Sequence, residues 1–142
     1  MYIKIDLLGN QLPDTADNWA AVLDANTNLM WEVNFSHQKY KWLDINQRAA
    51  EVNQVGLCGP RDWRVPNIDE LKSLVKKGEK YPSIDTEYFP NADDLYFWSL
   101  SSNADDPDYA QLVNFRYSYS GNYLKSYAEH VRLVRGSATA QP

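Results

Sequence analysis

The sequence has one cysteine, Cys58, and two histidines, His37 and His130, in 142 residues. A single thiol cannot close an internal disulfide or build a thiolate metal cluster. A catalytic thiol needs a positioned base, and neither histidine is near Cys58 in the chain, so a buried thiol is expected. There is no His-x-x-x-His spacing, no Gly-x-Ser-x-Gly elbow and no Gly-Lys-Ser/Thr phosphate loop. The common routes to zinc-peptidase, serine-hydrolase and nucleotide chemistry are therefore missing, and a non-enzyme is expected. No run reaches the ~20 apolar residues of a membrane-spanning helix, so no membrane insertion is expected. Residues Met1–Gly9 lack the long apolar stretch of a signal peptide, which leaves either a cytoplasmic protein or a mature or excised domain. Positive charge is also short, with 14 Lys+Arg against 19 Asp+Glu and a net charge of −5. That balance disfavours nucleic acid and anionic membrane surfaces as partners.

What the chain does have is a globular composition, 44% hydrophobic and 13% aromatic, with five Trp and ten Tyr. Its length suits one domain with one sizeable core. Neither an internal repeat nor a low-complexity tract is present. A single domain is expected over residues 1–135, followed by a small, polar, flexible tail at 136–142.

Ile3, Ile5 and Leu7 alternate, which predicts a first strand within residues 1–8. Trp19–Leu23 and Leu29–Val33 read as strands joined by Asp24-Ala25-Asn26-Thr27-Asn28, whose Asn and Asp suit a hairpin turn. Trp42, Ile45, Ala49 and Val52 share one face of a helix expected from about Tyr40 to Val55, with Gly56 as its C-cap. A second helix is expected to open at Asn67, after the stiffening Pro66, with Glu70 completing a capping box. Ile68, Leu71, Leu74 and Val75 would be its buried stripe. Lys76 and Lys77 would complement its dipole, and Gly78 would end it.

Residues 82–109 carry Asp85, Glu87, Asp93, Asp94, Asp105, Asp106 and Asp108 but no Lys or Arg, and Pro82, Pro90 and Pro107 punctuate them. This reads as long loop around one strand at Tyr96–Leu100. Three β-type runs close the chain, Ala110–Tyr119, Tyr123–Tyr127 and His130–Arg135, with Ser120-Gly121-Asn122 as the turn between the first two. Helices first and a strand meander last argue for an α+β class rather than a doubly wound parallel sheet.

Asp62-Trp63-Arg64-Val65-Pro66-Asn67-Ile68-Asp69-Glu70-Leu71 resembles the DWRLPT-x-x-EL signature of the Lcl C-terminal domain family, named for a Legionella collagen-like adhesin. Asn28-Leu29-Met30-Trp31 resembles its GLMW, Tyr88-Phe89-Pro90-Asn91 its FPN, Phe97-Trp98-Ser99-Leu100-Ser101 its YWSSS, and His130-Val131-Arg132-Leu133-Val134-Arg135 its terminal YVRCVR. These marks occur in order across residues 28–135. The resemblance implies a C-type-lectin-like fold, with two helices packed on a small, mainly antiparallel twisted sheet with long loops. It also implies a place on secreted or cell-surface proteins. The chain departs from the family at Ala21, where many relatives carry a cysteine that the resemblance pairs with the one at Cys58. A second departure is Leu133, which replaces the terminal cysteine. The adhesin's ligands are sulfated polysaccharides, which suit a basic surface, so that ligand is not carried over to this acidic chain.

The signature residues Trp31, Cys58, Trp63, Arg64, Pro66 and Trp98 are read as structural. Trp63 is expected to pack over the start of the second helix, and Arg64 to bond backbone carbonyls or a carboxylate of the loops. The acidic loops hold Asp93, Asp94, Asp105, Asp106 and Asp108. Calcium takes about six to eight hard oxygens, often from such loops. No calcium spacing is present, and the lectin tripeptides Glu-Pro-Asn, Gln-Pro-Asp and Trp-Asn-Asp are absent. No metal and no cofactor is expected, with calcium as the disfavoured alternative.

The stretch from Phe115 to Tyr127 is rich in Tyr, Ser, Gly and Asn, a composition that suits a paratope. On a strand, Phe115, Tyr117 and Tyr119 would share one face and Arg116 and Ser118 the other. An ordinary pair of strands with half-buried tyrosines explains the same composition. The candidate ligand-binding residues are Arg116, Tyr117, Tyr119, Asn122, Tyr123, Lys125 and Tyr127, with Asp105, Asp106 and Asp108 beside them. The leading expectation is a non-catalytic ligand-binding or adhesion domain. It would recognise a glycan or protein receptor through its C-terminal strands and loops, at the cell surface or secreted within a larger protein. One alternative is a diversified receptor-binding protein with a variable Tyr/Ser/Asn segment. Another is a structural or oligomerisation cap of a larger surface or pilus-like protein, with any oligomer formed through that parent.

Overall fold

The computed structural model describes residues 1–76, 78, 82–90 and 95–136. The expectations for Lys77, Asn91, Asp93, Asp94 and the tail at 137–142 lie outside the described residues. The strands are β1 (Tyr2–Ile5), β2 (Ala21–Asp24), β3 (Leu29–Glu32), β4 (Tyr40–Lys41), β5 (Tyr96–Ser102), β6 (Tyr109–Asn114), β7 (Tyr119–Leu124), β8 (Ala128–Glu129) and β9 (Val134–Arg135). The helices are α1 (Asn46–Val55) and α2 (Ile68–Lys72), with a 3-10 turn at Trp42–Asp44 before α1. The strands form a four-stranded sheet ordered β1-β2-β3-β9, a pair β4-β8, and a three-stranded sheet β5-β6-β7. Every strand pair is antiparallel, and the class is α+β.

The first hairpin forms where its turn chemistry places it. Asp24 Oδ1 accepts the Asn26 N–H at 2.9 Å, and Asn28 takes a left-handed φ of 62°. The strand starts at Ala21 rather than Trp19, because the Trp19 side chain is drawn elsewhere. Its indole N–H donates to the Tyr88 carbonyl at 3.0 Å, and the Lys4 ammonium sits 3.8 Å from its ring centroid.

α1 is shorter than its periodicity suggests. Tyr40–Lys41 pair with β8, and the Trp42 N–H and indole donate to the carbonyls of Lys125 and Ser99. Those long-range bonds override local helix propensity at residues 40–44. The stripe survives, with Ile45, Ala49 and Val52 buried, and Gly56 caps the helix at φ 75°. α2 opens with the capping box: Glu70 N–H donates to Asn67 Oδ1 and Asn67 N–H to the Glu70 carboxylate. It then stops at Lys72, earlier than expected. Lys76 is not in its last turn but donates its backbone N–H to Ser83, and Gly78 lies beyond the helix.

The largest correction concerns the β6–β7 hairpin. Ser120-Gly121-Asn122 is not its turn but the middle of β7, paired with Val113, Leu112 and Gln111. The turn lies at residues 115–118. There Asn114 Oδ1 accepts the Arg116 N–H at 2.8 Å, Ser118 takes φ 55°, and the Phe115 ring is fully buried. Asn, a residue tolerant of tight turns, and an apolar anchor outweigh the Ser-Gly-Asn signal. Phe115 and Tyr117 therefore do not share a strand face with Tyr119.

The core has two clusters that the sheets feed from opposite faces. Successive strand residues point to opposite sides. Ala21, Trp98, Leu112 and Leu133 enter one cluster with Trp63 and the α1 stripe, while their neighbours Val22, Phe97, Val113 and Val134 enter the other with Trp31 and the α2 residues. Arg132 is fully buried against the second cluster. Its guanidinium lies 5.1–5.2 Å from the ring centroids of Phe35, Phe89 and Phe97, and Nη1 donates to the carbonyls of Glu32 and Val33. Burial draws its pKa down to about 10, against the pull of Glu32.

Candidate functional site

The signature segment is consumed by internal bonds. The Asn53 side chain of α1 clamps the Trp63 backbone, donating to its carbonyl and accepting its N–H, each at 2.9 Å. The Trp63 indole N–H donates to the Leu57 carbonyl at 3.0 Å. Trp63 thus packs in the cluster of α1 rather than over the start of α2, because the α1–α2 connection folds back along the first helix. Arg64 forms a two-pronged pair with Glu70 at 2.8 and 2.7 Å and also reaches the Gly136 carbonyl at 2.7 Å. Its carboxylate partner comes from a helix, not a loop. Pro66 is buried and its carbonyl accepts the Leu100 N–H. Trp31 and Trp98 are fully buried, and the Trp98 indole donates to the Tyr40 carbonyl at 2.9 Å. Cys58 is buried at a left-handed φ of 58°, and burial, with Asp6 nearby, pushes its thiol pKa up.

The predicted ligand-binding residues divide into separate groups. Arg116 and Tyr117 sit at the hairpin tip, the guanidinium 5.6 Å from the Tyr117 ring centroid. Tyr119 and Tyr123 lie on one face of β7 and make an aromatic row with Tyr96 of β5 and with Tyr127. The ring centroids are 5.0 Å apart for Tyr96–Tyr123, 6.2 Å for Tyr123–Tyr127 and 6.3 Å for Tyr119–Tyr123. Tyr119 and Tyr127 remain 43% and 52% exposed, so the row has open faces. The Tyr119 ring lies over Gly121, where a Cβ would come within 2.3 Å of the Tyr119 hydroxyl. Glycine at this strand position marks close approach by that ring. A hydrogen bond with Tyr96 and partial burial raise the Tyr123 pKa well above the ordinary tyrosine value, so this phenol stays neutral across the working pH range. Asn122 is exposed, on the other face of β7 from Tyr123.

Beyond Tyr123 the chain turns through Leu124, Lys125 and Ser126 before returning to Tyr127. These three residues, with Lys41, Leu43, Asp44 and Asp108, line a cleft of about 430 Å³. Backbone bonds hold it: the Trp42 N–H donates to the Lys125 carbonyl at 3.0 Å, and the Lys125 N–H to the Asp108 carbonyl at 2.8 Å. The Lys125 ammonium lies 4.3 Å from the Trp42 ring centroid. Two lysines and two aspartates therefore surround an opening flanked by apolar Leu43 and Leu124. Such a lining offers donors and acceptors to a polar, uncharged ligand and contact area to its apolar face.

Asp108 and Lys125 are the predicted residues that meet here. Asp105 and Asp106 do not join them. They lie in the β5–β6 loop, where the Asp105 N–H donates to Asn103 and Asp106 Oδ1 accepts the Asp108 N–H, a local turn arrangement. Among the described residues, no group of three or more His, Cys, Asp or Glu is placed to hold a metal ion. Sequence reasoning missed Lys41, Leu43, Asp44 and Tyr96. The apolar Trp42-Leu43 pair beside charged neighbours was a signal, but Trp42 fits the helical stripe equally well.

No helix of the described residues is long and apolar enough to cross a membrane. No curated protein matches the chain. A family model, the Lcl C-terminal domain, matches residues 20–135, which include both helices, the signature segment and the tyrosine hairpin. The chain belongs to the Lcl C-terminal domain family.

Proposed function

We propose that this is a non-catalytic, adhesin-like domain of C-type-lectin-like fold that binds a glycan at the tyrosine row and the adjoining cleft. The observation that carries the reading is the run from Tyr119 to Tyr127: exposed aromatic faces lead directly into a cleft edged by Lys41, Asp44, Asp108 and Lys125. A sugar ring has an apolar face, which stacks on Tyr127 or Tyr119, and hydroxyls, which bond the Asp and Lys side chains. The paired charges suit a neutral glycan better than a polyanion, in keeping with the net charge of −5. The fold reading is supported by the first hairpin and the last strand sharing one sheet while the helices and the β5-β6-β7 meander lie between them in the chain. Membership of the family supports a place on a secreted or cell-surface protein.

A glycan array on the wild-type chain and on Lys125→Ala and Tyr127→Ala variants tests the reading. Saturable signals lost in both variants support it. Signals that survive both variants, or no signal on any neutral glycan, overturn it. A second reading, a protein receptor or a diversified receptor-binding protein, is favoured by the hairpin tip, where Tyr117 is 48% and Tyr119 43% exposed. Capture of one defined receptor that is lost with Tyr117→Ala but kept with Lys125→Ala would select it.

A further inference from the structure

A second cleft, of about 340 Å³, shares no lining residue with the first. Its apolar walls are Leu7, Ala20, Val52, Val55 and Leu57, and its charged groups are Glu32, Arg48 and Glu51. Helix α1 supplies four of its nine lining residues. Arg48, Glu51, Val52 and Val55 recur at spacings of three and four, which stacks them along one helix face. Leu7 and Val55 are 69% and 79% exposed and line the same cleft, so they form an exposed apolar patch.

The charged groups are unequally occupied. Glu32 is 2% exposed, and both its oxygens are engaged, Oε1 by the Leu133 N–H at 3.0 Å and Oε2 by Arg48 Nη2. The same Nη2 reaches the Asn34 carbonyl at 3.1 Å. Arg48 Nε is buried without a partner, and Nη1 has none among the described residues. One α-helical turn away, Glu51 is exposed, and its sole hydrogen bond among the described residues is a long one from the Tyr40 hydroxyl at 3.4 Å. Nε is closed off from solvent, so the cleft sets one unused guanidinium nitrogen, Nη1, beside a carboxylate with unused acceptors, above an aliphatic wall. A simple anion would meet the repulsion of Glu32 and Glu51, and a simple amine that of Arg48. A zwitterion satisfies both.

We propose that this cleft binds a free α-amino acid with an aliphatic side chain. Its carboxylate lies on the unused Nη1 of Arg48, its ammonium on Glu51, and its side chain along Leu7, Val52, Val55 and Leu57. Glu32 acts as a positioning residue, fixing Arg48 through one nitrogen and leaving the other free. The volume is near the lower end for small-molecule sites, which fits a ligand of this size.

Titration calorimetry on the whole chain tests the proposal, with L-leucine, N-acetyl-leucine, leucinamide and glycine as probes. Leucine is expected to bind saturably. Removing its ammonium, its carboxylate charge or its side chain is expected to weaken binding about tenfold or more. Arg48→Ala leaves Glu32 buried and unpaired and is expected to destabilise the fold, so the exposed positions carry the test. Glu51→Gln and Val55→Asp should each weaken leucine about tenfold while the melting temperature holds. Amide NMR shifts on adding leucine should fall in Glu51–Leu57 and spare Tyr123–Tyr127. The idea is overturned by no heat at roughly 10 mM leucine, by equal binding of N-acetyl-leucine or leucinamide, by wild-type affinity in Glu51→Gln, or by shifts confined to the tyrosine hairpin.

Discussion

Between Asp62 and Glu70 every polar side chain except the exposed Asp69 ends on another group of the protein: Asp62 on Arg135, Trp63 on Leu57, Arg64 on Glu70 and Gly136, Asn67 on Glu70. In β7 the exposed residues Tyr119, Ser120 and Asn122 present their side chains to solvent, and the tyrosine rings touch mainly one another. The first segment has the sharper sequence signature and the second the looser one. A motif whose donors and acceptors are satisfied within the chain identifies a scaffold. A ligand is bound by the groups that folding leaves unsatisfied.

The contrast can be broken most directly at Trp63. Trp63→Ala removes a ring that is 2% exposed and should cost about 3–5 kcal/mol in urea or thermal unfolding; a near-native melting temperature would reverse the assignment of the segment. Arg64→Ala should cost about 1–3 kcal/mol, discounted because the Arg64 side chain is 39% exposed. Arg64→Lys should recover little of that loss, since one ammonium cannot reproduce the forked pair and the bond to Gly136. Gly121→Ala should change stability by no more than about 1 kcal/mol, yet it must displace the Tyr119 ring. Chemical shifts of Tyr119 should therefore move, and receptor or glycan binding with them.

The smallest effect is a pH dependence whose sign differs between two carboxylates. Burial pushes the Glu70 carboxyl up, but the Arg64 hydrogen bonds and the Asn67 N–H outweigh it, so its pKa lies below the ordinary value. Its stabilisation is present above the usual carboxylate range and is lost as pH falls through the lowered folded value. Glu32 is the reverse: burial outweighs Arg48 and raises it, so its contribution is full at acid pH and is lost as pH rises through the raised value. Acid titration of the melting temperature in wild type and Arg64→Ala should show the variant losing less stability on acidification. Equal slopes would remove Glu70 from the account.

Much of the scaffold was legible because it rests on local chemistry. The Asn67–Glu70 capping box, the Gly56 cap and the Asp24–Asn28 turn are all set by residues within five positions of one another. The misread parts depend on distant partners. Residues 40–44 leave the helix for bonds to Lys125 and Ser99, and α2 stops at Lys72. The β7 hairpin shifted because Phe115 anchors its turn in the core, a long-range packing effect that Ser-Gly-Asn composition does not encode. For the same reason the candidate site was found only in part. Lys125 and Asp108 stand out by composition, but their meeting with Lys41 and Asp44 requires the pairing of β4 with β8.

β9 has consequences for how the domain carries load. It is two residues long, yet it is gripped on both edges, by Met30 and Trp31 of β3 and by reciprocal backbone bonds with Arg64 at 2.8 and 2.9 Å. The Asp62–Arg135 pair and the Arg64 bond to Gly136 add to that grip. A pull on Gly136 along the strand axis would shear these attachments together instead of peeling them one at a time. The force would pass into β3 and the signature segment and bypass the tyrosine hairpin. Tension could then rise on the scaffold while the recognition face kept its shape.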